Sequence, residues 1–141
     1  MNPLLDFSGL PRFTEITPQQ VTPAVDDLLR ENRSLISQLL TDSAPATWDH
    51  FVKPLEDANE RLSRAWGQVT HLNAVMNCPE LRESYNANLP KITQFHSELA
   101  QNQGLFEKFK ALKAGSGFAH LSRAQQKIVE NELRDFRLGG A

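Results

Sequence analysis

The residues best suited to chemistry in this sequence are four histidines, His50, His71, His96 and His120. None is followed by Glu and a second His at helical spacing, and no two stand three or four residues apart. A zinc site made by this chain alone would therefore need ligands gathered wholly by the fold. His71 falls between Val69 and Leu72, beside an apolar stripe, and reads as a half-exposed histidine bonded to a neighbour. The single cysteine, Cys78, stands just before Pro79, where a helix start could activate a thiol. No basic residue is adjacent, so it reads as a weak cap where Ser or Thr would serve better. Glu80 and Glu83 place two carboxylates on a helix first turn, which the helix dipole favours without any catalytic role. Lys108, Lys110 and Lys113 interleave with Phe106, Phe109 and Leu112, a mixture that can signal nucleic acid. Their spacing instead puts apolar and basic residues on different faces of one helix. Neither a Gly-x-Ser-x-Gly elbow nor a phosphate loop is present. The residues thus assign no catalytic, cofactor-binding or metal site.

Composition bounds the remaining options. With 141 residues, 40% hydrophobic and 23% charged, the chain reads as one domain able to bury roughly 70% of its unfolded surface. Its net charge of −2 is too near neutral to draw nucleic acid or an anionic membrane over the whole surface. The first half is slightly acidic and the second slightly basic. A lone cysteine excludes an intrachain disulfide and suits a reducing compartment. No apolar run approaches the ~18 residues of a membrane span. The opening Met1-Asn2-Pro3-Leu4-Leu5-Asp6 lacks the basic and long apolar regions of a signal peptide. A cytoplasmic location is expected, with neither nucleic acid nor membrane as partner.

Apolar spacing predicts the elements. Residues 1–16 carry Pro3 and Pro11 among Leu4, Leu5, Phe7, Leu10, Phe13 and Ile16, an extended arm rich enough in apolar residues to pack onto the domain. Thr17-Pro18-Gln19-Gln20 is a helix start with the elements of a capping box, and Val21, Val25, Leu28 and Leu29 carry a helix over about 18–40. Thr47 opens a second helix over about 48–77, whose stripe runs from Trp48 and Phe51 to Leu72 and Met76. Pro54 should kink or restart it. Pro79 opens a third helix over about 79–103, with Leu81, Tyr85, Leu89 (beside Asn88), Ile92 and Phe95 inward and Pro90 internal. It is expected to end at Gln103-Gly104. A short helix over 105–114 and a last one over about 123–138, capped by Ser122 with Gln125, complete the chain. Strict alternation is absent, so the fold class is all-α: a bundle of four to five mostly antiparallel helices with an extended N-terminal arm. Trp48 and Trp66 read as core or interface anchors. Should Trp66 and Leu72 face outward together, they would mark a partner surface.

Certain stretches carry a family resemblance. His71-Leu72-Asn73-Ala74-Val75-Met76-Asn77-Cys78-Pro79-Glu80-Leu81-Arg82-Glu83-Ser84-Tyr85, followed by Leu89-Pro90, resembles the N-terminal region of the oligopeptidase A-type members of the thimet oligopeptidase and neurolysin family of zinc metallopeptidases. Collinear agreement extends from Asn2-Pro3-Leu4-Leu5 and Leu10-Pro11-Arg12-Phe13-Thr14-Glu15-Ile16-Thr17-Pro18 through Val21-Thr22-Pro23-Ala24-Val25, Thr47-Trp48 and Pro54-Leu55 to Asn131-Glu132-Leu133-Arg134-Asp135-Phe136. Gln20 stands where the family usually has His, and Cys78 where it has Ser or Thr. The family's His-Glu-x-x-His zinc motif and its distant Glu ligand lie beyond this chain. The resemblance implies an N-terminal helical segment forming part of a substrate-channel wall, with zinc held by residues absent here. Its implied partners are the missing catalytic lobe or a full-length peptidase, with short peptides as the parent enzyme's substrates. A free-standing helical protein-binding module docking on a full-length peptidase or another partner is the alternative.

Overall fold

Five helices follow a turned N-terminal arm in the computed structural model, which describes residues 2–141. They are α1 (Val21–Thr41), α2 (Lys53–Val75), α3 (Pro79–Ala100), α4 (Gln103–Ala114) and α5 (Arg123–Gly139). There is no strand among the described residues, so the fold is all-α, as the periodicity predicts.

Local chemistry sets most boundaries. The Thr17 amide donates to Oε1 of Gln20 at 2.8 Å, and a 3₁₀ turn over Pro18–Gln20 leads into α1. The hydroxyl oxygen of Thr47 accepts from the His50 amide at 3.2 Å. A π-turn over Trp48–Val52 follows, with Val52 donating to the Thr47 carbonyl and Lys53 to that of Trp48. Pro54, which has no N–H, thus sits in the first turn of α2 and restarts the helix there. Ser122 and Gln125 form the reciprocal capping box of α5. Gly140, at φ 95°, closes α5: its amide reaches the Arg137 carbonyl and the Ala141 amide reaches that of Phe136, a Schellman arrangement.

Several boundaries depart from expectation. The third helix stops at Ala100, and Gln103-Gly104 begins α4 instead of ending α3. The Asn102 side chain accepts from the Leu105 amide at 2.9 Å, making Asn102 the cap of a new helix. A Cβ on Gly104 would come within 2.8 Å of Leu40 Cδ2, so that side chain would have to shift to admit one. The second helix stops at Val75, short of 77. The arm, expected to be extended, instead carries 3₁₀ turns at Pro3–Leu5 and Phe13–Glu15.

The described residues cluster in two compact units. The first comprises Met1–Arg33 and Asp57–Thr93. Its core includes Leu4, Val21, Leu28, Leu62, Val69 and Leu81. Arg64 holds the arm by donating to the carbonyls of Phe7 and Gly9, with its guanidinium over the Phe7 ring. Asn2 donates to the Gln20 carbonyl at 2.9 Å and Ser84 to that of Pro18 at 3.1 Å. Lys91 pairs with Asp26 and Arg61 with Glu31, and each pair joins two helices.

Asn88, not Leu89, points inward on α3. Asn88 is fully buried and donates to Oγ1 of Thr22 and the Ser84 carbonyl, while Leu89 is 37% exposed. We expect Leu72→Ala to lower unfolding free energy by ~2–5 kcal/mol, because Leu72 is buried. Leu89→Ala should cost under ~1 kcal/mol. Urea unfolding of the two variants would reverse the assignment of faces if Leu89→Ala proved the costlier.

The second unit comprises Ser34–Glu56 and Gln94–Ala141. Its centre is aromatic. Phe109 meets Phe51 edge-on at 4.9 Å and Phe136 at 5.7 Å, and Phe106 stacks on Phe136 at 5.6 Å. Apolar neighbours Val52, Leu55, Leu105, Val129 and Leu133 complete this core.

Candidate functional site

The helices place the reactive side chains apart rather than together. All four histidines are exposed. His71 packs its ring against Phe13 of the arm at 5.1 Å. Among the described residues, no group of three or more His, Cys, Asp or Glu is gathered where it could hold a metal ion. Cys78 precedes α3, its carbonyl accepting from the Arg82 amide at 3.0 Å. Its thiol donates to a Glu80 carboxylate oxygen at 3.4 Å, so its partner is an anion rather than a cation that would stabilise a thiolate.

The basic and aromatic residues of α4 separate into two faces. Phe106, Phe109 and Leu112 are buried. Lys108 donates to the Asp42 carbonyl at 2.9 Å, while Lys110 pairs with Glu107 at 2.8 Å and lies over the Phe106 ring. That pairing, with a hydrogen bond from Gln103, holds the Glu107 carboxyl below its usual range. Trp66 lies half-buried, stacked on Tyr85 at 5.1 Å, and Leu72 is buried, so these two do not form the outward patch the sequence allowed. Exposed apolar residues of the first unit stand elsewhere, at Leu10 (90%), Val75 (63%) and Met76 (50%).

Two features were not visible in the sequence. One is an acidic cluster in the second unit. Burial pushes the Glu132 carboxyl up to about 7, with the charges of Glu56 and Asp135 and a hydrogen bond to Glu56 acting the same way. The other is a cleft of about 520 Å³ between the Pro45–Asp49 segment and the residues from Ala111 to Leu121. Thr47, Trp48 and Leu112 of its lining stand out in the sequence, but no spacing there brings its two sides together.

Together these features describe an all-helical domain with a ligand-sized cleft. The sequence profile described as neurolysin/thimet oligopeptidase, N-terminal domain, matches residues 25–141. This chain therefore belongs to that family, as its N-terminal domain. It is 45% identical over 139 residues to oligopeptidase A of Haemophilus influenzae, 40% to that of Escherichia coli and 33% to a probable cytosolic oligopeptidase A of Arabidopsis thaliana. Each match takes in 99% of this chain and 20% of the relative, so the chain spans about a fifth of their length. No helix among the described residues is long and apolar enough to cross a membrane.

Proposed function

We propose that this chain is the N-terminal helical segment of a zinc-dependent oligopeptidase, forming part of the wall of a channel that admits short peptides. It supplies no catalytic residue; zinc and the water-activating group belong to the remainder of such an enzyme. Its partners on this reading are that catalytic lobe and the peptide substrates, in the cytoplasm. The observation that carries the proposal is the match over 99% of the chain to oligopeptidase A relatives. Exposed Val75 and Met76 support it as surface available to a larger body.

The test replaces the N-terminal fifth of Escherichia coli oligopeptidase A with this chain. The chimaera should bind zinc and cleave a short quenched peptide within about tenfold of its parent, a loss of no more than about 1.4 kcal/mol of transition-state stabilisation. It should leave unfolded casein intact. The isolated chain should bind no stoichiometric zinc and show no chelator-sensitive hydrolysis. A folded, zinc-loaded chimaera that is inactive or cuts casein would overturn the channel-wall reading, as would one tightly bound zinc in the isolated chain. The exposed apolar residues of the first unit also favour a second reading, a free-standing module. That reading requires co-sedimentation of the isolated chain with the intact Escherichia coli enzyme.

A further inference from the structure

We infer that the cleft of the second unit binds a short peptide segment presenting an arginine beside an apolar side chain. The choice of a peptide rests on the oligopeptidase reading; the cationic and apolar requirements come from the cleft itself. Its volume of about 520 Å³ lies in the range of ~300–1,000 Å³ typical of small-ligand sites. Trp48 contributes to one side and Leu112, Phe118 and Leu121 to the other, giving a largely apolar lining. Asp49 is the only charged residue that lines it, and Ser116 adds a hydroxyl.

Contacts within the unit support both walls. The Thr47 cap holds the turn that carries Trp48 and Asp49, and Phe51 of that turn packs edge-on against Phe109 of α4. Across the cleft, the Gln126 side chain of α5 donates to the carbonyls of Phe118 at 3.0 Å and Leu121 at 3.3 Å. A preformed site spends little of its binding energy on ordering itself. The wall chemistry then selects the occupant. An aliphatic or aromatic side chain removes apolar wall from water. A carboxylate with no lining cation favours a positive group, and a guanidinium can both pair bidentately with Asp49 and lie against the Trp48 indole. An acidic peptide meets the opposite sign.

The experiment reads Trp48 emission in a Trp66→Phe background, which leaves Trp48 as the sole tryptophan. Acetyl-Phe-Arg-amide should change the emission saturably and bind about tenfold more tightly than acetyl-Phe-Glu-amide. Acetyl-Gly-Arg-amide should also bind more weakly than the Phe-Arg probe. Asp49→Asn should reduce the Arg-over-Glu preference to under about twofold while leaving the fold intact, since Asp49 is exposed. Gly117→Phe should abolish binding of every probe. The backbone at Gly117, φ −72° and ψ −20°, accepts a side chain, and a Cβ there meets no atom within 4 Å. The inference is overturned by an unsaturable response, by a preference that survives Asp49→Asn, or by Gly117→Phe binding like the parent. Failure here with an active chimaera removes the cleft and leaves the channel-wall reading standing. A responsive cleft with a failed chimaera does the reverse.

Discussion

Phe109→Ala is expected to cost ~3–5 kcal/mol, the largest loss from any single side chain in the second unit. The ring is almost wholly buried and touches both Phe51, just ahead of α2, and Phe136 of α5. Truncation removes an aromatic transfer energy and two ring contacts, and it leaves a cavity that three helical segments would have to collapse together to fill. Natural domains hold only about 5–15 kcal/mol in total, so the variant should unfold at a much lower urea concentration. Phe109→Leu, which keeps most of the volume, should lose under about 1.5 kcal/mol. Equal losses from the two variants would mean that volume does not govern the site. A loss below about 1 kcal/mol in Phe109→Ala would remove the aromatic cluster from its place at the centre of this core.

Stability should fall as pH rises through neutrality, and Glu132 is the expected source. Its carboxyl stands near 7 in the folded chain against an ordinary value of 4.5, raised by burial, by Glu56 and Asp135, and by the hydrogen bond with Glu56. The folded state therefore holds the proton more tightly than the unfolded chain does. That contribution is fully present below pH 4.5 and is lost as pH climbs through about 7. After allowance for the partly solvated side chain, the swing amounts to about 2–3 kcal/mol. Glu132→Gln keeps the amide's hydrogen-bonding capacity and discards the charge. Urea midpoints measured near pH 5 and near pH 8 should differ for the parent and converge for the variant, with the variant the more stable at the higher pH. An unchanged pH slope in Glu132→Gln would assign the effect to other groups.

Helix starts were the most legible part of the sequence. Thr17, Thr47 and Ser122 sit where short polar side chains can take up orphan amides, a local property that needs no tertiary context. Faces were harder to read where a polar residue goes inside. Asn32 is buried because it can donate to the carbonyls of Leu28 and Ala58, and Asn88 because Thr22 and Ser84 lie within reach. Gln68 is buried too, with no protein partner for its amide atoms, and neither periodicity nor propensity would place it there. At Leu89 an apolar residue was assigned the inward position that the neighbouring asparagine takes. Gly104 misled for a different reason: glycine is favoured just past a helix end, yet Asn102 caps a new helix and Gly104 falls in its first turn. The cleft was illegible because its two sides are distant in sequence and are brought together by tertiary packing such as that of Phe51 on Phe109. Glu132 likewise depends on Glu56, a residue whose approach no spacing rule foretells.

Both compact units are discontinuous in the chain, and this bears on how the protein can be taken apart. The polypeptide passes from one to the other after Arg33, Glu56 and Thr93, and each of these points lies within a helix, α1, α2 or α3. No single cut can excise either unit whole. A protease nick near any of these junctions would leave fragments that each hold part of at least one incomplete core, and a shuffled gene segment would carry the same defect. The chain is thus protected from piecemeal inheritance by its threading: whichever relatives share one unit of this architecture should share the other.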